Sequence, residues 1–160
     1  MPASHPARRV RTATAIDLEF IVEANRAMAR ETEARELDPV VLTAGVAAAL
    51  ADPQRGRYYI AEQDRLPIGT LMLTREWSDW RNGDFWWIQS VHVLPTHRRQ
   101  GVFRALYHHV LEEARQAPAV CGLRLYVDHH NAQARTTYLG VGMKDAGYTV
   151  FEVDFSSVAR

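Results

Sequence analysis

The chain has 160 residues, of which 47% are hydrophobic and 24% charged, and its formal net charge at pH 7 is +0. This length and composition predict one soluble globular domain, while the neutral charge gives no support to nucleic-acid or membrane-surface binding. No apolar run approaches the roughly 18 residues that cross a bilayer. The single cysteine, Cys121, excludes an internal disulfide and indicates a reducing, cytoplasmic compartment. Residues 1–8 lack the apolar centre of a secretory signal, so we expect a loose leader followed by one domain over residues 9–160.

The first half of the chain predicts one strand, two helices and then two more strands. Their ranges are 10–13, 16–35, 40–50, 57–62 and 66–75. Asp38 and Pro39 are typical of the N-cap and first position of a helix, so the second helix has a clear start. Pro67 and Gly69 lie inside a strand, which predicts a bulge near Ile68.

The second half predicts alternating strands and helices, followed by a final hairpin. The ranges are 86–94, 101–116, 120–127, 132–139, 143–146 and 147–155. A strand, a helix and a second strand in succession favour parallel pairing with a right-handed crossover. The predicted order is β-α-α-β-β-β-α-β-α-β-β. We therefore expect an α+β fold with a mixed, mostly antiparallel central sheet flanked by helices.

A basic turn separates the strand at 86–94 from the helix that follows. Arg98, Arg99, Gln100 and Gly101 precede a helical pattern. The first turn of a helix has unpaired N–H groups and the positive end of the helix dipole. Glycine also lets a ligand approach the backbone closely. These features together predict an anion site suited to phosphate groups.

The residues of this turn resemble a known motif. The run Arg98–Phe103 is similar to the (Gln/Arg)-x-x-Gly-x-(Gly/Ala) loop of the GCN5-related N-acetyltransferases, the GNAT family, in which the loop holds the pyrophosphate of acetyl-coenzyme A. The strand end Val91–Pro95 before it matches as well. Phe103 departs from the motif, because the family often has Gly or Ala there.

A second segment, Leu125–Met143, resembles the strand and Asn-x-x-Ala helix of the same family. Asn131, Ala134 and Tyr138 are spaced i, i+3 and i+7, so they lie on one face of a helix. By the resemblance, Asn131 bonds the pantetheine arm and Tyr138 protonates the leaving thiolate. The alternative for Tyr138 is a packing role, which is common for aromatic residues on helices.

The resemblance implies a GNAT-like fold and an acetyl-CoA-dependent N-acetyltransferase that acts on a small primary amine by direct attack in a ternary complex. The implied catalytic acid is Tyr138. The implied contacts to coenzyme A are Val91, Val93, Arg98, Arg99, Gln100, Gly101, Val102, Phe103, Arg104 and Asn131. The alternative is an acyl-CoA-binding module, a sensor or structural part without turnover. Phe103 and the lack of an ionisable residue at the usual strand positions favour the module, whereas Asn131 and Tyr138 favour the enzyme.

The sequence does not identify the residue that accepts the proton of the amine. In several members of the family an acidic residue or histidine lies on the central strand at positions that correspond here to Gln89 and Trp87, and neither ionises. Asp84, Glu31 and Glu33 are candidate remote bases. Simple alternation places His92 on the opposite face of the strand from Gln89, so His92 ranks below these three acidic residues. Water is another candidate acceptor for the proton of the amine. The candidate acceptor-binding residues are Glu31, Glu33, Trp80, Asp84 and Gln89.

We expect the acceptor to enter between residues 31–36 and 77–84, which are acidic and aromatic. The tryptophans of that region are equally consistent with core or dimer packing and with a wall for an amine cation, so a homodimer stays open. The charged residues near 31–36 are also typical of a solvated helix end. No Cys/His set has zinc-ligand spacing, so no metal site is expected.

Overall fold

The computed structural model describes residues 8–156. Five strands form one sheet in the order β1-β2-β3-β4-β5. They are β1 Arg8–Thr12, β2 Arg57–Gln63, β3 Leu66–Ser78, β4 Gly83–Val93 and β5 Val120–Leu125. All neighbouring pairs are antiparallel except β4 with β5, which is parallel as the strand–helix–strand pattern predicts. The mixed, mostly antiparallel sheet is confirmed.

Four α-helices accompany the sheet: α1 Leu18–Glu33, α2 Pro39–Ala51, α3 Val102–Gln116 and α4 Ala132–Gly140. The predicted start of α2 is confirmed, because an Asp38 carboxylate oxygen accepts hydrogen bonds from the backbone N–H groups of Val40 at 2.8 Å and Val41 at 3.1 Å. Arg8, which was expected in the leader, is the first residue of β1. The rest of the expected leader lies outside the described residues.

Helices cover the two faces of the sheet, and alternation along β2 shows which residues serve each face. Tyr58 and Ile60 are buried in a cluster with Ile21 and Val22 of α1 and Val46 of α2. The intervening residue, Tyr59, points to the opposite face. Its hydroxyl donates to Glu113 of α3, and its ring meets that of His109 edge-on, with the two ring centres 5.5 Å apart. The sheet therefore has an α1–α2 face and an α3 face.

The bulge predicted near Ile68 is present. Ala61 pairs with Gly69 while Glu62 pairs with Pro67, so Ile68 is the extra residue on β3. A Cβ atom on Gly69 would lie 3.0 Å from Val102 Cγ1 and 3.2 Å from the His92 carbonyl oxygen. The absence of a side chain at Gly69 therefore lets the first residue of α3 pack against β3.

The described residues divide into two units after Tyr126, and the second unit holds α4. The Asn131 side-chain oxygen accepts from the Ala134 N–H at 3.0 Å and caps this helix. The hairpin predicted over 143–146 and 147–155 is not formed, since no strand occurs among the described residues of this unit. Its apolar residues are exposed, Phe151 by 93% and Phe155 by 85%. Strand propensity alone does not make a strand when the backbone has no ladder partner.

Candidate active site

A bulge interrupts β4 at the position where the cofactor contacts were predicted. Met72 pairs with Gln89 and Thr70 pairs with His92, so one residue of β3 faces two of β4, Ser90 and Val91. Ser90 has a φ of 49°, in the left-handed region that residues other than glycine seldom occupy. The extra residue turns the backbone of β4 away from a regular ladder next to Val91.

The edge of β4 toward β5 is open beyond this bulge. The parallel pairing starts at Asp84 with Val120 and ends at Ile88 with Leu125, although β4 continues to Val93. Within the described part of the chain, residues 89–93 are therefore paired only with β3. Backbone groups on such an edge can bond an extended ligand as if it were another strand. Val91 and Val93, both half-buried, lie in this stretch.

The basic turn lies directly after that edge and leads into α3. Two residues of the turn, on either side of Gln100, have a left-handed backbone conformation. Arg99 has a φ of 61° and Gly101 has a φ of 77°. Gly101 is the N-cap of α3, and its carbonyl accepts from the Ala105 N–H at 3.0 Å, so the N–H groups of Val102, Phe103 and Arg104 begin the helix. These N–H groups and the exposed arginine side chains lie together in the turn for which the anion site was predicted.

Arg98 links the turn to α1. Its Nε donates to the Val93 carbonyl at 3.0 Å and its Nη2 donates to Glu31 Oε2 at 2.7 Å. Both side chains of this ion pair are 42% exposed. The contact brings together a residue predicted to bind coenzyme A and a residue predicted to bind the acceptor. A phosphate group at the turn would compete with Glu31 for this arginine.

Other residues of the turn have structural contacts of their own. The side-chain amide of Gln100 donates to the Thr96 carbonyl at 2.9 Å, and the Gln100 carbonyl accepts from Arg8 of β1 at 2.6 Å. Val102 is buried, whereas Phe103 is half-buried with its ring 6.0 Å from that of Tyr107. Phe103 thus places its ring along the helix and keeps its backbone N–H in the first turn.

The α1–α2 face carries a polar cluster beneath the bulge. The side chains of Asn25 and Ser90 lie near the buried Tyr58 hydroxyl and interact with it. Burial raises the pKa of Tyr58, and the polar side chains of Asn25 and Ser90 oppose the rise in part. Asn25 is itself buried and donates to the Ile21 carbonyl at 3.0 Å. The cluster connects α1, β2 and the strained residue of the bulge, and no sequence pattern indicated it.

His92 lies on the same face as Gln89, so the expectation from simple alternation is wrong. Cross-strand partners share a face, and the partners of Gln89 and His92 are Met72 and Thr70, two residues apart on β3. The extra residue of the bulge shifts the alternation by one. Gln89 donates to the Thr74 hydroxyl on this face, and His92 is buried beside Thr70.

The structure separates the predicted acceptor residues into two groups. Glu31 is joined through Arg98 to Val93 at the carboxyl end of β4. Asp84 pairs with Trp77 at the other end of β4, nine residues and roughly 30 Å from Val93. Trp80, which is 87% exposed, is in the turn beyond Asp84. The two segments expected to flank the acceptor entrance therefore lie at opposite ends of one strand. Glu33, the last residue of α1, is exposed.

In the second unit, Asn131 and Tyr138 are both half-buried. Because the Asn131 oxygen caps α4, its amide nitrogen is the atom left to act as a donor. Burial raises the pKa of Tyr138 above its usual 10, so the phenol carries its proton at neutral pH. Each residue therefore has a side-chain group that can donate a hydrogen bond.

Residues 8–156 contain no group of three or more His, Cys, Asp or Glu side chains that could hold a metal ion. Across the same range, no helix is both long enough and apolar enough to cross a membrane.

Comparison with protein families gives a match between residues 18–143 and the acetyltransferase (GNAT) family. Comparison with curated proteins gives no match. Among solved structures, a possible acetyltransferase from Clostridium difficile 630 is 39% identical. The match covers 92% of this chain and 97% of that chain, with a TM-score of 0.87.

Two more distant structures share the fold and contain coenzyme A or its acetyl form. A predicted acetyltransferase from Clostridium acetobutylicum with acetyl-CoA is 19% identical, with 92% and 96% of the two chains covered and a TM-score of 0.75. An aminoglycoside N-acetyltransferase in complex with CoA is 14% identical, with 97% and 99% covered and a TM-score of 0.76.

Proposed function

Because the chain belongs to the GNAT family of acetyltransferases, we propose that it transfers the acetyl group of acetyl-CoA to a primary amine of a small molecule. The reaction is a direct attack with both substrates bound. The observation that carries the proposal is the open edge of β4 at residues 89–93, immediately before the basic turn. An extended pantetheine arm fits the open strand edge, and a pyrophosphate fits the basic turn.

The co-substrate is held along the chain from β4 to α3. The backbone of Val91 and Val93 bonds the pantetheine arm, and the N–H groups of residues 101–104 bond the pyrophosphate. Arg98, Arg99 and Arg104 supply positive charge, and Asn131 donates to the pantetheine amide. The family resemblance assigns these contacts, and the turn geometry supports those to the phosphates.

The chemistry needs a neutral amine, an oxyanion donor and a proton for sulfur. The amine nitrogen attacks the thioester carbonyl and loses one proton to a neighbouring acceptor or to water, the carbon–sulfur bond breaks, and an amide and a thiolate result. The Val91 N–H, beside the bulge, donates to the developing oxyanion. Tyr138 gives its proton to the thiolate, and the rise in its pKa on burial keeps that proton in place until the sulfur leaves.

Release of free thiol from acetyl-CoA across a panel of amines tests the activity, with Tyr138→Phe as the informative variant. The substitution keeps the ring and deletes the phenol proton. On an acceptor for which chemistry limits the rate, we expect kcat to fall about 10²–10⁴-fold with coenzyme A affinity unchanged. The matched control is Tyr148→Phe in the same unit, whose tyrosine is 77% exposed.

A second measurement separates the enzyme from the acyl-CoA-binding module. Calorimetry should show that Arg98→Ala and Arg99→Ala each weaken coenzyme A binding by about 1–3 kcal/mol, while Arg55→Ala, remote from the turn, does not. If the protein binds acetyl-CoA with this arginine dependence but no amine releases thiol, the binding module is correct. Normal turnover by Tyr138→Phe would instead remove only the role of Tyr138.

The amine reaches the carboxyl end of β4 from the α1 side. Glu31 and Gln89 are there, and Glu33 follows on the same helix. A carboxylate at this position attracts a protonated amine. The free, exposed thiol of Cys121 fits a cytoplasmic setting for the reaction. The proposal includes no nucleic-acid, membrane or metal component, and a homodimer is compatible with it.

A further inference from the structure

His92 is a buried ionisable side chain at the bulge end of β4, and the roles assigned above do not use it. It is 5% exposed, on the α1–α2 face, and its cross-strand neighbour Thr70 is fully buried. It stands between Val91 and Val93, whose backbone borders the open edge of β4. The backbone beside His92 faces the open edge of β4, where the pantetheine arm is proposed to bind. The His92 side chain points to the α1–α2 face and can act on an amine that arrives from that face.

The surroundings keep this imidazole neutral. Burial is the main cause, and it lowers the pKa of His92 below its ordinary 6.5. Two charges act on it from neighbouring segments: Glu31 of α1 raises the pKa, and Arg98 of the basic turn lowers it. The neighbour on β3, Thr70, has no charge. At neutral pH His92 therefore has a ring nitrogen with a free lone pair, which is what a proton acceptor requires.

We propose that His92 accepts the proton lost by the attacking amine, directly or through one water. This inference rests on the proposed acetyl transfer and names its base. The amine nitrogen forms the bond to the acetyl carbon while its proton passes to the imidazole. The pair of electrons from the carbon–sulfur bond leaves with sulfur, and His92 later returns its proton to solvent.

The ion pair over this site couples the base to co-substrate binding. Arg98 holds Glu31 at 2.7 Å. A pyrophosphate that draws Arg98 away removes the charge that opposes protonation of His92 and leaves the charge that favours it. Coenzyme A binding should therefore raise the proton affinity of His92, and it should do so at the stage when the amine must lose its proton.

The first test compares His92→Gln with the wild type in single turnovers from pH 5 to pH 8. We expect the single-turnover rate constant to fall about 10²-fold or more at pH 7, and the acid limb of the wild-type profile to disappear. Coenzyme A affinity and Tm should be kept. The matched control is His108→Gln, on the exposed side of α3, with an unchanged profile. A wild-type rate and acid limb in His92→Gln overturn the inference.

Two further variants distinguish a proton acceptor from a packing residue. Glu31→Gln should move the acid limb of kcat/KM for acetyl-CoA to lower pH, and Arg98→Gln should move it to higher pH. This ratio reports the free enzyme, in which the two charges act on His92 in opposite directions. A packing role predicts no movement in either. NMR titration of His92 in the wild type should give a pKa below 6.5 that rises on addition of coenzyme A. This measurement needs no variant to fold, and a pKa that does not move contradicts the proposed coupling.

The outcomes keep the two proposals apart. If wild-type protein releases no thiol with any amine, the proposed function itself fails. If the wild type turns over and His92→Gln does so equally well, only the role of His92 fails, and water is the proton acceptor.

Discussion

Strand β4 behaves differently at its two ends. From Asp84 to Ile88 it pairs with β3 on one side and β5 on the other, and its side chains are packed. Phe85, for example, is 8% exposed beneath the guanidinium of Arg124, 3.7 Å from its ring centre. From Gln89 to Val93 the ladder is bulged and open on one edge, and the neighbouring groups are polar. One strand thus supplies stability at its hairpin end and exposes hydrogen-bonding backbone at the other.

The largest expected effect is a loss of stability at the hairpin end. Phe85→Ala removes a buried ring that packs against Gly122 and Arg124 of β5 and should lower the free energy of unfolding by about 3–5 kcal/mol. The ring is tightly enclosed, since a Cβ atom on Gly122 would lie 2.8 Å from it. Urea denaturation measures the loss. The coenzyme A affinity of the folded fraction should not change, and a large loss of affinity would show that the two ends are not independent.

The next effect in size is a loss of activity at the bulge end. Deletion of Ser90 restores one-to-one pairing with β3 and removes the left-handed residue. If the bulge presents the oxyanion donor, kcat should fall about 10²–10³-fold, equivalent to about 2.7–4 kcal/mol. The same urea experiment should show a stability close to wild type, because strain is relieved as a residue is lost. Wild-type kcat in the deletion variant contradicts the assigned role of the bulge.

The two bulges in this sheet show what the sequence could and could not predict. The bulge at Ile68 lies between Pro67 and Gly69, residues that do not suit a regular strand interior, and it was predicted from them. The bulge at Ser90 and Val91 has no such signal, because Gln89, Ser90 and Val91 all suit a strand. Missing it placed His92 on the wrong face.

Motifs with local geometry were predictable, and features that need a tertiary partner were not. The N-cap of α2 and the glycine corner before α3 depend on adjacent residues, and both are present. The predicted strand over 147–155 had the right composition, but a strand exists only where another strand meets it. The contacts of Arg98 with Glu31 and of Tyr58 with Asn25 join residues far apart in sequence, which no local pattern reveals.

A smaller effect concerns pH and the bulge end. The folded-state pKa of His92 is below the unfolded value of about 6.5. The unfolded chain therefore binds this proton more readily than the folded one. The contribution of His92 to stability is present above pH 6.5 and is lost as pH falls from 6.5 toward the folded pKa. The slope is at most about 1.4 kcal/mol per pH unit for one proton. Urea titrations between pH 5 and pH 8 should show this loss, and His92→Gln should lack it.

The smallest expected effect is that of substitutions at the hairpin end of β4, which should leave activity unchanged. Asp84 and Trp80 have the acidic and aromatic character that suggested an acceptor site, but they lie at the hairpin end, roughly 30 Å along β4 from Val93. A charge so far away is screened, because the Debye length is about 8 Å at physiological salt. Asp84→Asn and Trp80→Ala should therefore leave the KM for the amine and kcat unchanged, and stability within about 0.5 kcal/mol. Glu31→Gln, at the other end, should raise that KM. If Asp84→Asn raised it equally, the acceptor would extend along the whole strand, and the division of β4 into a stabilising end and a reacting end would be wrong.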